Sequence, residues 1–336
     1  MSPRATDPQP AGSRAASERP SISVVIPVYH SREMLPELLR RLADSLPAAT
    51  ADYEVVLVDD GSRDGSWDAI RAGAATYPWV RGLSLMRNYG QHNALLCGIR
   101  AATKEIIVTI DDDLQHPPEH IPALAAALAP EVDVVYGRPR RERHGLLRRL
   151  ASRATKLVLQ RAMGAGLARQ SSPFRAFRTQ LRTAFAHYEG AFVSIDVLLT
   201  WGTTRFAAVQ FDHQERAVGR SNYTLRKLFL HAVNMMTGFT TFPLEIASLL
   251  GLLSTLFGIA VLAYVLLRYL SYGSVVPGFP FLASIIAIFS GVQLFALGIM
   301  GEYLARMHSR SLDYPQYVVR TTTSPREGGE SARPAG

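Results

Sequence analysis

The chain of 336 residues has one cysteine, Cys97, and no apolar run within its first twenty residues. A single cysteine excludes a disulfide framework and any zinc site that needs several cysteines, and it fits a reducing compartment. A segment without an apolar run cannot act as a secretory signal peptide, so we expect residues 1–20 to form a disordered tail. Apolar sequence is abundant elsewhere, since 48% of the residues are hydrophobic, which is enough for a full core.

Two uncharged apolar segments towards the C-terminal end are typical of membrane spans. They cover residues 246–267 and 279–300, and each is long enough for a helix to cross a hydrocarbon core of about 30 Å. The alternative, two helices buried inside a soluble protein, is less favoured because both segments are so long and so apolar. We expect a two-helix transmembrane hairpin within residues 244–304.

Basic residues flank the outer ends of this predicted hairpin, namely Arg226, Lys227, Arg306, Arg310 and Arg320. Arg268 is the single charge that lies on the opposite flank. The positive-inside rule then places both chain ends, and the domain before the hairpin, in the cytoplasm. The sequence therefore predicts a multi-pass protein of the inner (cytoplasmic) membrane, with residues 305–336 as a cytoplasmic tail.

Ahead of the hairpin, residues 21–222 form a predicted cytoplasmic domain in which short β-branched runs alternate with helical patterns. The predicted strands are residues 22–26, 54–58, 80–85, 106–110 and 132–136, and the predicted helices are residues 33–46, 67–77 and 91–102. This alternation predicts an α/β domain with a mostly parallel sheet covered on both faces. Its ligand should lie at the carboxyl ends of the strands.

Two basic segments have more than one interpretation. Residues 223–243 carry apolar side chains at helical spacing beside basic ones, which indicates either an amphipathic helix on the membrane surface or a helix packed on its own domain. Six arginines within residues 138–149 form either a solvated loop or a contact with anionic lipid headgroups. A net charge of +8 is also found in nucleic-acid-binding proteins. No aromatic interleaving or nucleic-acid motif accompanies the arginines, so we expect no nucleic-acid partner.

Three consecutive carboxylates, Asp111, Asp112 and Asp113, follow the fourth predicted strand. Alternate residues of an extended chain point the same way, so Asp111 and Asp113 can converge on one cation while Asp112 turns elsewhere. Carboxylate oxygens suit Mg²⁺ or Mn²⁺, which commonly also hold substrate phosphates. The alternative is a solvated acidic turn.

A second acidic turn, residues 59–66, ends the second predicted strand. Its Asp and Ser side chains could cap the following helix, or they could bond a ribose or base beside the first acidic loop. Tyr29, at the end of the first strand, offers an aromatic face.

Four segments in this order resemble the successive motifs of inverting family 2 glycosyltransferases with the Rossmann-like, nucleotide-sugar-binding A-type fold. They read VVIPVY (residues 24–29), VDDGSRD (58–64), RNYGQHNA (87–94) and DDDLQHPPE (111–119). The branch they resemble contains dolichol-phosphate mannose synthase and the bacterial polyprenyl-phosphate sugar transferases. HQERAVGRSNY (213–223) is similar to the basic motif of that branch, and GEYL (301–304) to its exit from the second span.

The resemblance implies roles for individual residues. The nucleotide would be bound by Pro27, Tyr29, Asp59, Asp60, Arg87 and Asp111. Asp111 and Asp113 would hold Mg²⁺ or Mn²⁺ and the diphosphate, and Gln115 would lie near the donor sugar, so that these three form the predicted catalytic set. Phosphate groups of donor or acceptor would meet Arg138, Arg216 and Ser221.

This sequence departs from the family pattern at three places. The usual Asn after the first Tyr is His30, and the usual Lys of the basic motif is Asn222. The carboxylate that many relatives carry before a Phe-Arg pair is absent ahead of Phe174 and Arg175. A lipid monophosphate is already anionic and can attack without a base. Asp196 is the nearest later candidate for a base, or else an ordinary helix residue.

We therefore expect a membrane enzyme that transfers one sugar, with inversion, from a nucleotide-sugar to undecaprenyl or another polyprenyl phosphate. A UDP-sugar is favoured over GDP-mannose, and residues 172–177 and 213–223 look most like the aminoarabinose-type transferases. One alternative is a non-catalytic adaptor that retains the fold. A processive polysaccharide synthase is less favoured, because it would need more spans and a Gln-x-x-Arg-Trp motif. Glycines in the spans would allow homo-oligomers.

Overall fold

A computed structural model describes residues 19–139, 171–190, 193–211, 241–272, 278–312 and 314–323. The first half of the chain alternates strands and helices: β1 (Ile22–Val28), α1 (Leu35–Ala49), β2 (Tyr53–Asp59), α2 (Ser66–Thr76), β3 (Val80–Leu85), α3 (Gln91–Ala101), β4 (Ile106–Thr109), a 3₁₀ turn (Pro118–His120), α4 (Ile121–Ala126) and β5 (Val134–Pro139). The remaining elements are β6 (Arg175–Arg178), a second 3₁₀ segment (Thr179–Phe185), α5 (Ile195–Gly202), β7 (Phe206–Phe211), α6 (Phe242–Tyr272), α7 (Gly278–Ser311) and β8 (Val319–Thr322).

Eight strands form one sheet in the order β7-β5-β6-β4-β1-β2-β3-β8. The central strands β3, β2, β1 and β4 are parallel, as the alternating pattern predicts. β6 is antiparallel to both β4 and β5, and β8 is antiparallel to β3. These two antiparallel strands were not predicted. The sheet is therefore mixed, with six strands running in one direction.

The core follows from the composition of β1, in which every residue is buried. Val24 and Ile26 face one side of the sheet and pack in the same cluster as the leucines of α1. Val25 faces the other side and packs in the cluster that contains α3 and α5. Because successive strand residues point to opposite faces, a continuous run of β-branched residues requires helices on both faces.

One edge of the sheet collects the loops that matter for function. The parallel strands β1 to β4 all end there. β5 and β7 end there too, because β4 and β5 are both antiparallel to β6, and β7 is parallel to β5. The antiparallel strand β6 begins at the same edge, where Arg175 is the register partner of Thr109. Seven segments from distant parts of the sequence therefore lie at the same end of the sheet.

The helices α6 and α7 contain the two predicted membrane spans. Both are long and apolar enough to cross a membrane, and their apolar side chains are exposed, for example Leu262 at 67% and Leu294 at 69%. The two helices contact each other where a Cβ on Gly258 would lie 2.8 Å from Phe289 Cζ. Added Cβ atoms at Gly251, Gly291 and Gly298 would meet nothing within 4 Å, so these positions are open.

Several predicted segments lie wholly or mostly outside the described residues. They are the tail at residues 1–20, the arginines at 140–149 and the amphipathic segment 223–243, of which the described part begins at Thr241 and continues into α6. The predicted C-terminal tail, residues 305–336, is only partly described. Its first residues continue α7, and Val319–Thr322 form β8, the outermost strand of the sheet next to β3.

Candidate active site

Asp111 lies just beyond the end of β4 and is the most perturbed carboxyl group at this edge. Its Oδ1 accepts a hydrogen bond of 2.6 Å from Gln91 Nε2 at the start of α3. Burial, followed by the carboxylates of Asp113 and Asp112, raises the pKa of Asp111 to about 7, while the guanidinium of Arg175 acts in the opposite direction. The negative charge is thus only partly compensated by the protein, and a cation at this place would relieve the repulsion.

The two following aspartates make different contacts. Asp112 accepts hydrogen bonds from the Tyr29 amide, at 3.2 Å, and from the Ser31 hydroxyl, and so ties the β4 loop to the β1 loop. Asp113 Oδ1 accepts the amide of Gln115 at 3.1 Å, which closes a tight turn around Leu114. Leu114 has a φ of 58°, a left-handed conformation that is uncommon for leucine and is held here by burial of its side chain.

Asp59 and Asp60, at the end of β2, are both buried and hold neighbouring loops. Asp59 accepts bonds from the Ser62 amide at 3.0 Å and the Ser84 hydroxyl at 3.1 Å. The two oxygens of Asp60 accept the amides of Tyr89 and Gly90 at 2.7 and 2.8 Å. Burial nevertheless raises the pKa of Asp60. In the described structure these carboxylates shape the loops, and contact with a nucleoside remains a prediction.

Gly61 brings the β2 loop against the β3 loop. Its φ is 71°, and a Cβ at this position would lie 2.6 Å from the carbonyl carbon of Arg87 and 2.8 Å from the amide nitrogen of Asn88. No side chain fits in that space without displacing backbone, which explains the glycine. The contact fixes the backbone of Arg87 next to the acidic loop of β2.

The predicted nucleoside-binding residues differ in exposure. Tyr29 is 50% exposed, and its ring lies 4.3 Å from the His30 ring, centroid to centroid. Arg87 is also exposed, with its guanidinium 4.7 Å from the centroid of the Tyr89 ring. Pro27 is buried within β1, one residue before the strand ends. Two of the three therefore present their side chains to solvent at the edge.

Arg175 and Asp196 form a buried ion pair, and the sequence alone predicted no firm role for either residue. Arg175 is 1% exposed, and its guanidinium donates to the Asp196 carboxylate while Nε donates to Thr109 Oγ1 at 3.1 Å. The Tyr136 hydroxyl donates to the same carboxylate at 3.0 Å. Asp196, the candidate base, is thus the counter-ion of a buried arginine. The sequence signals for this network were the Phe174–Arg175 pair and the candidate base Asp196.

The remaining predicted residues divide into two groups. Gln115 follows the Asp113 turn, and Arg138 stands near the end of β5, so both lie at the same edge of the sheet. Arg216 and Ser221, the predicted phosphate-binding residues of the basic motif, lie outside the described residues. The structure therefore brings together the residues of the four N-terminal motifs and leaves the basic motif undescribed.

The donor set at the edge fits a hard divalent cation. Within the described ranges, no group of three or more His, Cys, Asp or Glu side chains is arranged to hold a metal ion by itself. Mg²⁺ and Mn²⁺ are commonly held by one or two carboxylates together with substrate phosphates, so a complete protein cage is not required. Asp111 and Asp113, the two predicted ligands, are the residues that would supply such a pair of oxygen atoms.

Comparison with protein families identifies the chain. The family model described as "Glycosyl transferase family 2" matches residues 23–197, just over half of the chain and all four motif segments. The chain belongs to glycosyl transferase family 2. This family assignment confirms the predicted A-type glycosyltransferase fold and the predicted enzyme class.

A curated relative of this glycosyltransferase extends the similarity through the apolar helices. The undecaprenyl-phosphate 4-deoxy-4-formamido-L-arabinose transferase of Sodalis glossinidius is 34% identical over 306 residues, which cover 90% of this chain and 94% of the relative. The similarity to a polyprenyl-phosphate sugar transferase, predicted from the motifs, is thereby confirmed.

Solved structures are more distant. Glucosyl-3-phosphoglycerate synthase of Mycobacterium tuberculosis, in complex with Mn²⁺, UDP and phosphoglyceric acid, is 22% identical with a TM-score of 0.49, covering 65% of this chain and 77% of that one. Mannosyl-3-phosphoglycerate synthase of Rubrobacter xylanophilus is 18% identical with a TM-score of 0.45, covering 64% and 72%. Similarity at this level says nothing about the ligands of this glycosyltransferase.

Proposed function

We propose that this glycosyltransferase transfers a single sugar from a UDP-sugar to a polyprenyl phosphate, with undecaprenyl phosphate as the acceptor, and inverts the anomeric configuration. The observation that carries the proposal is Asp111, a carboxyl group crowded by two further carboxylates at the end of the sheet where the loops bearing Tyr29 and Arg87 also lie. Such a place suits the diphosphate of a nucleotide-sugar accompanied by a divalent cation.

In this proposal Asp111 and Asp113 hold Mg²⁺ or Mn²⁺, which would neutralise charge on the departing nucleoside diphosphate. Gln91 fixes the orientation of Asp111 through its hydrogen bond to Oδ1. The Asp113 turn presents Gln115 beside the carboxylates, where it would contact the donor sugar. Tyr29 and Arg87, both exposed at this end of the sheet, would contact the nucleoside.

The acceptor is inferred from the apolar helices and from the relative. α6 and α7 would hold the enzyme at the bilayer in which a polyprenyl phosphate resides, which raises the local concentration of acceptor. The Sodalis protein, which covers the same helices, is named for undecaprenyl phosphate. Its sugar, 4-deoxy-4-formamido-L-arabinose, is accordingly the first to test.

We propose no general base for this reaction. A phosphate monoester is already anionic near neutral pH, since its second pKa is about 6. Asp196 Oδ1 accepts hydrogen bonds from both Arg175 and the Tyr136 hydroxyl, so this carboxylate serves as the counter-ion in a buried ion pair. The acceptor phosphate itself would attack the anomeric carbon from the face opposite the leaving group, which produces inversion.

The test is transfer by the purified full chain in vesicles that contain undecaprenyl phosphate. Candidate UDP-sugars and GDP-mannose are supplied with Mg²⁺ or Mn²⁺, and lipid-linked sugar is detected by mass spectrometry. Asp113→Asn should abolish the product, whereas Asp68→Asn, on the exposed face of α2, should leave it unchanged. Absence of lipid-linked sugar with every donor, or full activity of Asp113→Asn, would refute the proposal.

The anomeric configuration of the product provides a separate test. Comparison of donor and product by NMR should show opposite configurations at the anomeric carbon. Retention of configuration would exclude direct attack by the acceptor phosphate.

A further inference from the structure

The segment that follows the second apolar helix returns to the catalytic sheet. β8 pairs with β3 in antiparallel register, with Leu83 opposite Thr322 and Ser84 opposite Thr321. The pairing continues beyond the strands, because the Met86 amide donates to the Val318 carbonyl at 2.9 Å. Residues 314–323, here called the return segment, thus add the outermost strand next to β3.

The return segment contacts the loop that carries Arg87. Met86 is the residue directly before Arg87, and both of its backbone polar groups are bonded to the return segment. The Met86 amide donates to Val318, and the Met86 carbonyl accepts from the Arg320 guanidinium at 2.8 Å. The other side of the loop is held by Gly61, whose missing side chain admits the Arg87 backbone. Arg87 is therefore held from two sides.

A second set of contacts anchors the start of the return segment. Gln316 Oε1 accepts a hydrogen bond of 2.9 Å from Arg100 at the end of α3, and Gln316 Nε2 donates to the Tyr188 carbonyl at 2.5 Å. The Tyr317 ring packs against the core cluster of α3 and lies 5.8 Å from the Arg100 guanidinium. By contrast, the side chains of β8 itself are exposed. The segment is thus fixed by Gln316 and Tyr317 before it reaches Met86.

We propose that the return segment is part of the donor-binding machinery: it holds the Met86–Gly90 loop in place and links that loop to the end of α7. Arg320 is a positioning residue, which acts on Arg87 through the Met86 carbonyl and does not contact substrate. The effect on donor affinity rests on the proposed function, in which Arg87 contacts the nucleoside. The ordering of the loop does not depend on it.

The pairing also constrains topology. Since β8 belongs to the same sheet as the catalytic loops, the chain after α7 lies on the same side of a membrane as the catalytic domain. Two crossings, α6 and α7, satisfy this condition, whereas a single crossing does not.

The test compares two C-terminal deletions of the full chain. Deleting residues 313–336 removes the return segment, and deleting residues 324–336 leaves it intact. Hydrogen exchange should show protection of the Met86, Tyr89 and Gly90 amides, which all donate hydrogen bonds, falling at least about tenfold in the longer deletion only. Exchange in β1 and α1 reports whether the domain still folds. Unchanged protection at Met86, Tyr89 and Gly90 would overturn the proposal.

Substitution of Arg320 provides a gentler test. Arg320→Ala removes the bond to the Met86 carbonyl and should speed exchange across Met86–Gly90 without lowering the melting temperature, and Arg320→Lys should recover part of the protection. The matched control is Arg71→Ala, because Arg71 is an exposed arginine of α2 that pairs with Asp68. Exchange that is equal in Arg320→Ala and Arg71→Ala would contradict the role of Arg320.

UDP with Mn²⁺ is the probe for the functional consequence. Calorimetry on the same variants should show affinity for UDP reduced about tenfold by Arg320→Ala, a loss that corresponds to about 1.4 kcal/mol, and unchanged by Arg71→Ala. If the wild-type chain binds no UDP, the proposed donor is wrong, and hydrogen exchange alone decides the role of the return segment. UDP affinity that is unaffected by Arg320→Ala would overturn the link to donor binding.

Discussion

Replacing Asp196 tests whether its carboxylate stabilises a buried ion pair or acts as a catalytic base. Asp196→Ala removes the carboxylate that Arg175 and the Tyr136 hydroxyl both donate to. The Arg175 side chain is 2% exposed and Asp196 16% exposed, so water cannot replace the lost partner readily. The variant therefore leaves a buried guanidinium without its counter-ion.

The expected cost follows from this burial. Breaking a buried ion pair by removing one partner typically costs about 3–5 kcal/mol, and the residual exposure of Asp196 places it near the lower figure, about 3 kcal/mol. For a domain of about 150–250 residues, each kcal/mol lowers the melting temperature by about 2–4 °C. Asp196→Ala should therefore lower it by about 6–12 °C. Asp68→Ala, which breaks an exposed pair with Arg71, should cost no more than about 1 kcal/mol.

The assay is thermal unfolding of the purified full chain in detergent, followed by intrinsic tryptophan fluorescence, together with sugar transfer below the melting temperature. Asp196→Asn keeps an acceptor oxygen and should retain transfer. Loss of a true general base would lower kcat by about 10²–10⁴. A loss of that size in Asp196→Asn, with an unchanged melting temperature, would refute the assignment of Asp196 to the ion pair. Equal melting temperatures for Asp196→Ala and Asp68→Ala would refute the estimated cost.

Three further predictions concern the site and the sheet. Gly61→Ala should destabilise the fold by about 1–3 kcal/mol, because its Cβ would collide with the Arg87 backbone, and Gly251→Ala, where space is open, should not; melting temperatures of the two variants check this. Hydrogen bonding to Arg205 lowers the pKa of Asp133, so Asp133→Asn should destabilise the protein at pH 7. That deficit should shrink as the pH falls below about 4, because the carboxyl group of the unfolded chain then binds a proton while the native carboxylate, with its lowered pKa, still resists protonation. Melting curves against pH would show this, and a deficit independent of pH would contradict the ion pair. Chelation by EDTA should abolish transfer, with recovery on adding Mn²⁺ or Mg²⁺, and activity that survives chelation would contradict a metal-dependent site.

The central sheet could be predicted because its strands are long, β-branched and separated by amphipathic helices. All five predicted strands are present, and residues 80–85 match β3 at both ends. β6 and β8 were not predictable in the same way, because each has only four residues and neither has a clear alternation. β8 contains Arg and two Thr, and its partner β3 lies more than 230 residues earlier in the chain, so no local pattern indicates the pairing.

The acidic motifs of the candidate site were visible in the sequence, but the partners of their carboxylates were not. Asp60 resembles a ligand-binding residue, yet both of its oxygens accept backbone amides from a loop that follows the next strand. Asp196 resembles an ordinary helix residue, yet it neutralises an arginine twenty-one positions earlier in the chain. Both contacts depend on the order of strands in the sheet, which spacing along the chain does not encode.

Binding of Mn²⁺ in the presence of UDP tests the account most directly. Electron paramagnetic resonance of free Mn²⁺ measures how much of the ion the full chain removes from solution. We expect about one bound Mn²⁺ per chain when UDP is present, and at least about tenfold weaker binding in Asp113→Asn, which keeps the oxygen that accepts the Gln115 amide but loses the charge. Equal binding of Mn²⁺ by the wild-type chain and Asp113→Asn would contradict a metal held at the end of β4.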